Sequence, residues 1–322
     1  MKRIIPAVLL AAFGVSLAGC APTTTTPSSS AVPALRVGTL QTDDLLPLWV
    51  AQQQGLIEQE GLNVTITTFQ SAQDQIAAVT GGQIDAIMTD MVVGAQLAAA
   101  GTPDGTYGSG MRFVTVMQGA PAGVVAGAGT GITTAADLAG VATGCASPTI
   151  LEYIYDKALT DAGVPADQIK TTEIKQLPVR LQMLTAGQVK AAVLPWTLYQ
   201  LALAQGAVPV LGLDQVGNYT STVLSVSQKW LDQAGASAMV PKLLDVWNQG
   251  VNIINADPNA QRALLADKAN LPSPLDTMYP VRQYPPAGAP PASQVTDVIN
   301  WMTAKGYLTS PLTASDLLWP AQ

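Results

Sequence analysis

LRVGTL (residues 35–40), PLWVAQQQGLIEQEG (residues 47–61), NVTITTF (residues 63–69), SAQDQIAAVTGG (residues 71–82) and IDAIMTD (residues 84–90) decide the fold. The first, third and fifth stretches are short and rich in apolar and β-branched residues. The second and fourth are longer, carry helical spacing and reach glycine near their ends. This is β-α-β-α-β order, the signature of an α/β protein whose parallel strands are joined by right-handed helical crossovers. A serine or threonine with aspartate three residues on marks helix starts at Ser71 with Asp74, Thr134 with Asp137 and Thr313 with Asp316.

Working outward, the helix-glycine-strand phrase VTGGQIDAIM (residues 79–88) comes back as LTAGQVKAAV (residues 184–193), so two lobes share one plan. Lys190 stands in the second copy where Asp85 stands in the first, at the start of the strand and away from any cleft. Between the copies, RFVTVM (residues 112–117) reads as a strand and GVVAGAGTGITT (residues 123–134) as a strand crossing into the second lobe. TSTVLSV (residues 220–226) reads as the strand going back. Gly127, Gly129 and Gly131 lack the GxGxxG spacing of a dinucleotide site. Residues 279–293 are too rich in proline for helix or central strand. A final helix over residues 293–305 carries Val295, Val298, Ile299 and Met302 on one face before Gly306 stops it.

At the N-terminus, Lys2 and Arg3 precede an apolar run over residues 4–17 and then Ala18, Gly19 and Cys20. The run is shorter than the roughly 20 apolar residues of a membrane span and has the polarity of an export signal, so residues 1–19 are expected to be removed. The junction Leu17-Ala18-Gly19-Cys20 resembles a bacterial lipobox. That resemblance implies a Cys20 carrying palmitate or similar acyl chains and an extracytoplasmic protein anchored to the cell membrane, not spanning it. Residues 20–34, mostly Thr, Ser, Pro and Ala, form the tether. Loss of Lys2 and Arg3, and of no acid, moves the formal charge from −7 to −9. With its bases scattered, such a chain is not a nucleic-acid binder.

The sequence contains no histidine, and its only cysteine besides Cys20 is Cys145. A histidine-based triad, zinc site or general base is therefore excluded, and no cofactor is expected. In open parallel sheets, ligands gather beyond the carboxyl ends of strands. The loops there supply the candidate binding residues Gln41, Thr42, Asp43, Asp44 and Leu46; Phe69, Gln70 and Ser71; Thr89 and Asp90; Ser147 and Thr149; and Trp196. Ser147 and Pro148 read as helix cap and first turn. Arg180 reads as a solvated helix residue, with pairing to an anion as the alternative. Few bases near this rim disfavour a strongly anionic ligand, and carboxylates with aromatic residues lean toward a heterocyclic or amine-bearing one.

LRVGTL, PLWVAQQQGLIEQEGLNVTI, VTGGQIDAI and ITTAADLAGVATG resemble the substrate-binding proteins of importers for nitrate, sulfonates, taurine and thiamine-precursor pyrimidines, over residues 35 to about 318. The resemblance implies two Rossmann-like lobes with mixed, mainly parallel sheets joined by two crossover strands, the type II periplasmic binding protein fold. Residues 35–122 and 217–322 would form lobe 1, and residues 123–216 lobe 2. It further implies a monomer that closes on a small molecule and docks on an ABC permease with its ATPase. An enzyme on the same fold, pyrimidine synthase-like or lyase-like, and a ligand-sensing lipoprotein are the alternatives. The missing histidine opposes the first kind of enzyme and export opposes both.

Overall fold

Strands that are buried on both faces need uninterrupted apolar sequence, whereas edge strands tolerate polar residues. That contrast orders both sheets of the computed structural model, which describes residues 32–100, 110–118, 122–212 and 221–319. The chain forms β1 (Leu35–Leu40), β2 (Val64–Phe69), β3 (Ala86–Asp90) and β4 (Met111–Gln118) in a first sheet. A second sheet takes β5 (Ala122–Ala126), β6 (Ala142–Cys145), β7 (Lys170–Glu173), β8 (Ala191–Pro195) and β9 (Val208–Leu211), after which β10 (Ser221–Ser227) returns to the first. The strand orders are β2-β1-β3-β10-β4 and β7-β6-β8-β5-β9. Central β3 and β8 are buried along four successive residues, while edge strand β7, KTTE, is largely exposed.

The two orders are one plan used twice, and the strands that change sheets occupy its fourth position. β10 runs antiparallel to β3 and β4, and β5 runs antiparallel to β8 and β9, while β1 is parallel to β2 and β3 and β6 is parallel to β7 and β8. The sheets are thus mixed, with both crossover strands identified by their sequence. The repeated phrases fall on the helices Ala72–Thr80 and Leu177–Thr185 and the strands after them. Gly82 and Gly187 follow these helices with φ of 67° and 70°, a left-handed turn that a side chain disfavours. At the start of β3, Arg36 donates to both oxygens of Asp85 at 2.7 Å. In the second copy Lys190 contributes its backbone carbonyl, which accepts from Gly127 at 2.9 Å.

Helices cover the sheets and set their relation. Leu46–Gln53 lies on Met239–Ala256, where Gly250 lets the Pro47 carbonyl approach too closely for any Cβ. One buried cluster holds Val37, Trp49, Trp230, Trp247 and Leu224 together with Leu181, Leu194 and Tyr199, so apolar packing continues from one sheet's layer to the other's. The described residues form one compact unit. The last long helix, Ala292–Ala304, buries Val295, Val298, Ile299 and Met302 as its spacing predicts, and residues 280–291 are without helix or strand. No helix among the described residues is long and apolar enough to cross a membrane. Cys20, the signal, most of the tether and Gly217 lie outside the described residues.

Three local expectations are corrected. Thr134 and Asp137 open a single turn, Ala136–Leu138, because the Asp137 carboxylate is taken up by the N–H and hydroxyl groups of both Thr133 and Thr134. The helix after β6 begins at Ile150 with Thr149 as its cap, one residue beyond Pro148, so Ser147 and Pro148 precede it. Arg180 is not solvated: it is 1% exposed, on the inner face of its helix.

Candidate functional site

The carboxyl ends of β1, β3, β6 and β8 converge on a cavity of about 80 Å³. At about 10–15 Å³ for each enclosed water, this is room for several waters or one compact polar group. From the first sheet's side come Leu40 ending β1, Thr42 and Asp44 after it, Ala72 and Gln73 at the head of the helix after β2, Thr89 and Asp90 at the end of β3, and Thr222 on β10. Across from them stand Thr149, Ile150 and Ile154, with Lys175, Leu177 and Arg180 beyond β7 and Pro195 ending β8.

Asp90 joins the two sides. Its Oδ1 accepts from the Val93 N–H at 2.8 Å, capping the helix Met91–Ala100. The backbone amides of Val92 and Ile150 also hydrogen-bond to the carboxylate, the latter from the first turn of the helix Ile150–Asp161 in the opposite wall. Burial pushes the Asp90 carboxyl up to about 6, and these amides pull the other way without cancelling it. Asp44 is also raised to about 6, chiefly by burial and then by neighbouring Asp43, against the opposing pull of Arg282, Thr42 and Thr222. Its Oδ2 accepts from Thr42 Oγ1 at 2.6 Å. Gln73 Oε1, on the same wall, is buried without a hydrogen-bond partner.

The basic groups are differently placed. Arg180 donates from Nε and Nη2 to the Ile174 carbonyl at 3.0 and 2.7 Å and from Nη1 to the Val193 carbonyl at 2.8 Å. Three of its five N–H groups are thereby given to the backbone just after β7 and within β8. Lys175 is exposed at the rim. Cys145 is fully buried and its thiol is pushed up to about 12 by burial, which leaves it protonated at neutral pH. Among the described residues no group of three or more cysteines and carboxylates comes together to hold a metal ion.

Of the residues singled out in the sequence, Thr42, Asp44, Thr89, Asp90 and Thr149 meet in this cavity. Gln41, Phe69 and Gln70 line a separate, wider groove beside it. Asp43 turns the other way: Arg282 Nε donates to it at 2.8 Å, Tyr284 donates its hydroxyl to the Asp43 carbonyl at 2.8 Å, and Arg282 lies 4.3 Å over the Tyr284 ring. Leu46 is fully buried in the core. Ser71 caps its helix through the Asp74 N–H at 3.1 Å, and the Ser147 N–H donates to Glu173 at 3.0 Å. Trp196 stacks on Tyr199 at 4.9 Å, outside the cavity, where Pro195 supplies the wall.

The residues passed over include Gln73, Lys175, Leu177 and Thr222. Arg180 was legible: Leu177, Arg180, Leu181 and Leu184 follow the i, i+3, i+4, i+7 stripe of a buried helix face, which places the arginine inward. Nothing local marks Thr222, whose position comes from its register opposite Asp90 in the antiparallel β10–β3 pair.

A family model described as NMT1/THI5 like matches residues 42–261. Among solved structures, the alkanesulfonate-binding protein SsuA from Xanthomonas axonopodis pv. citri, bound to MOPS, is 19% identical with a TM-score of 0.75, covering 91% of this chain and 100% of its own. The periplasmic aliphatic sulphonate-binding protein SsuA from Escherichia coli is 19% identical with a TM-score of 0.72, covering 90% and 92%. The desulfurization enzyme DSZB is 15% identical with a TM-score of 0.63, covering 89% and 96%. At these identities the likeness establishes the fold. No curated protein sequence is significantly similar to the chain.

Proposed function

The chain belongs to the NMT1/THI5-like family, and from that premise we propose that it is the substrate-binding lipoprotein of an ABC importer, capturing a small organic molecule between its two sheets and presenting it to the permease. The observation that carries this reading is the cavity at the carboxyl ends of strands from both sheets, with polar groups contributed from both sides. A ligand bridging those walls favours the closed arrangement, the hinge motion that such two-lobed proteins use. Residues 35–122 with 217–322 would move against residues 123–216.

The cavity also bears on the ligand's chemistry. Asp44, Asp90 and Gln73 Oε1 are acceptors, while Arg180 gives three of its five N–H groups to carbonyls. An occupant that supplies N–H donors complements these groups, and an anion would meet two half-buried carboxyls. The favoured ligand is therefore amine-bearing, held by Thr42, Asp44, Thr89, Asp90 and Thr149.

Thermal unfolding against amines, amino-heterocycles, sulfonates and nitrate tests this. A ligand present at 100 times its dissociation constant adds about 2.7 kcal/mol if it binds only the folded chain. Amines should raise the transition and sulfonates leave it unmoved, with the opposite order sinking the amine assignment. Raised carboxyls in a cleft also suit an acid-base catalyst, so each stabilising compound is recovered by mass spectrometry. Recovery unchanged supports capture, and multiple turnovers would make the protein an enzyme.

A further inference from the structure

Beside the cavity, and sharing Leu177 with it, runs a groove of about 450 Å³ between the loops after β1 and β2, the helices Leu177–Thr185 and Trp196–Ala204, and residues 269–272. Its floor is apolar, with Phe69, Leu177, Leu181, Leu198, Leu201 and Leu271. Its polar groups are five carboxamides, Gln41, Gln70, Gln182, Gln205 and Asn270, with Thr185, and not one lining residue is charged. Asn270 is the one non-glycine among the described residues with a positive φ, 52°, a conformation that asparagine adopts more readily than most residues.

A carboxamide offers a donor and an acceptor together with no charge. Five of them over a leucine-rich floor complement a neutral group that has both hydroxyl or amide functions and apolar faces. They do not complement an ion. The neighbouring cavity, about 80 Å³, holds only a compact group, so any larger captured molecule must extend out of it. The groove opens from the same wall: Gln41 adjoins Thr42 in sequence, and the Leu177 N–H reaches the Gln70 carbonyl at 3.4 Å, linking its two banks.

We propose that this groove is a second compartment of the binding site, taking an uncharged, hydroxyl- or amide-bearing portion of the molecule whose amine head occupies the cavity. The assignment rests on the capture reading above and makes the ligand bipartite, with charge at one end only. Head recognition then belongs to the carboxylates and tail recognition to the carboxamides.

The test titrates the full chain with ethanolamine, 2-aminoethyl β-D-glucoside and methyl β-D-glucoside, following the side-chain amide signals of the five carboxamides by nuclear magnetic resonance and the affinities by calorimetry. The aminoethyl glucoside should bind at least tenfold tighter than ethanolamine and shift those five signals. Gln182→Trp, which fills the groove from an exposed position, should remove that gain and leave ethanolamine binding unchanged. Equal affinities for the two amines, or unmoved carboxamide signals, would overturn the compartment while leaving head capture standing. If neither amine binds, the capture reading fails first and the compartment falls with it.

Discussion

At the scale of single residues, the site is governed by which polar groups are left without compensation. Arg180 is buried with no ion-pair partner among the described residues, and its guanidinium donates to the carbonyls of Ile174, just after β7, and Val193, within β8. Arg180→Met keeps the bulk and removes those donors to two carbonyls, at about 1–3 kcal/mol for each one left without another partner. A loss of several kcal/mol in urea-induced unfolding is expected, and an unchanged midpoint would deny Arg180 this structural role. Asp90 behaves differently. Its carboxyl is raised from 3.8 to about 6, so the folded chain retains a proton that the unfolded chain has released. Stability attributable to it is therefore full below about pH 4, falls as pH rises to about 6 and is level above. In Asp90→Asn that part of the fall disappears, which unfolding measured at pH 4.5 and pH 7 detects as a smaller difference than in the wild type.

At the scale of elements, the helix Ile150–Asp161 is held on two sides: its first turn meets Asp90 and its outer face meets the C-terminal part of the chain. Tyr307 donates its hydroxyl to both oxygens of buried Glu152, at 2.8 and 3.0 Å. Lys305 Nζ lies 2.6 Å from Asp156, and Trp301 donates its ring N–H to Asp156 at 3.0 Å. The helix Ala292–Ala304 packs with the first sheet's helices and the helix Ile150–Asp161 follows β6 of the second, so these bonds tie the two layers together. Tyr307→Phe removes the donor to a buried carboxylate and should cost about 1–3 kcal/mol. A double-mutant cycle with Glu152→Gln should return a coupling of about 0.5–3 kcal/mol, and additive losses would show that the contact carries no energy of its own. The sequence already marked Ala292–Ala304 through apolar spacing and a terminal glycine, and the approach to Ile150–Asp161 only through Ser147 and Pro148. It carried no sign of this tie, because Glu152 and Tyr307 are 155 residues apart and look like ordinary surface residues.

At the scale of the whole molecule, the proposed anchor and the proposed cleft have separate tests. If Cys20 bears the lipid, cells fed labelled palmitate should incorporate it into the wild type and not into Cys20→Ser, and the variant should leave the membrane fraction. Equal labelling would remove the anchor and leave the cleft untouched. The division between legible and illegible features follows the range of the forces involved. Strand and helix order, the duplicated plan, the glycine stops and the two crossover strands were determined by the sequence alone, since side-chain period, capping and φ preference act within a few residues. Five of the cavity's nineteen lining residues were legible for the same reason: Thr42, Asp44, Thr89, Asp90 and Thr149 follow strands whose carboxyl ends must share an edge. Only the tertiary structure decided that Asp43 pairs with Arg282, 239 residues away, while adjacent Asp44 faces the cavity, and that Thr222 comes to lie opposite Asp90. Those outcomes depend on burial and on pairing between distant segments, and neighbouring aspartates of identical chemistry differ only in what the folded chain brings against them.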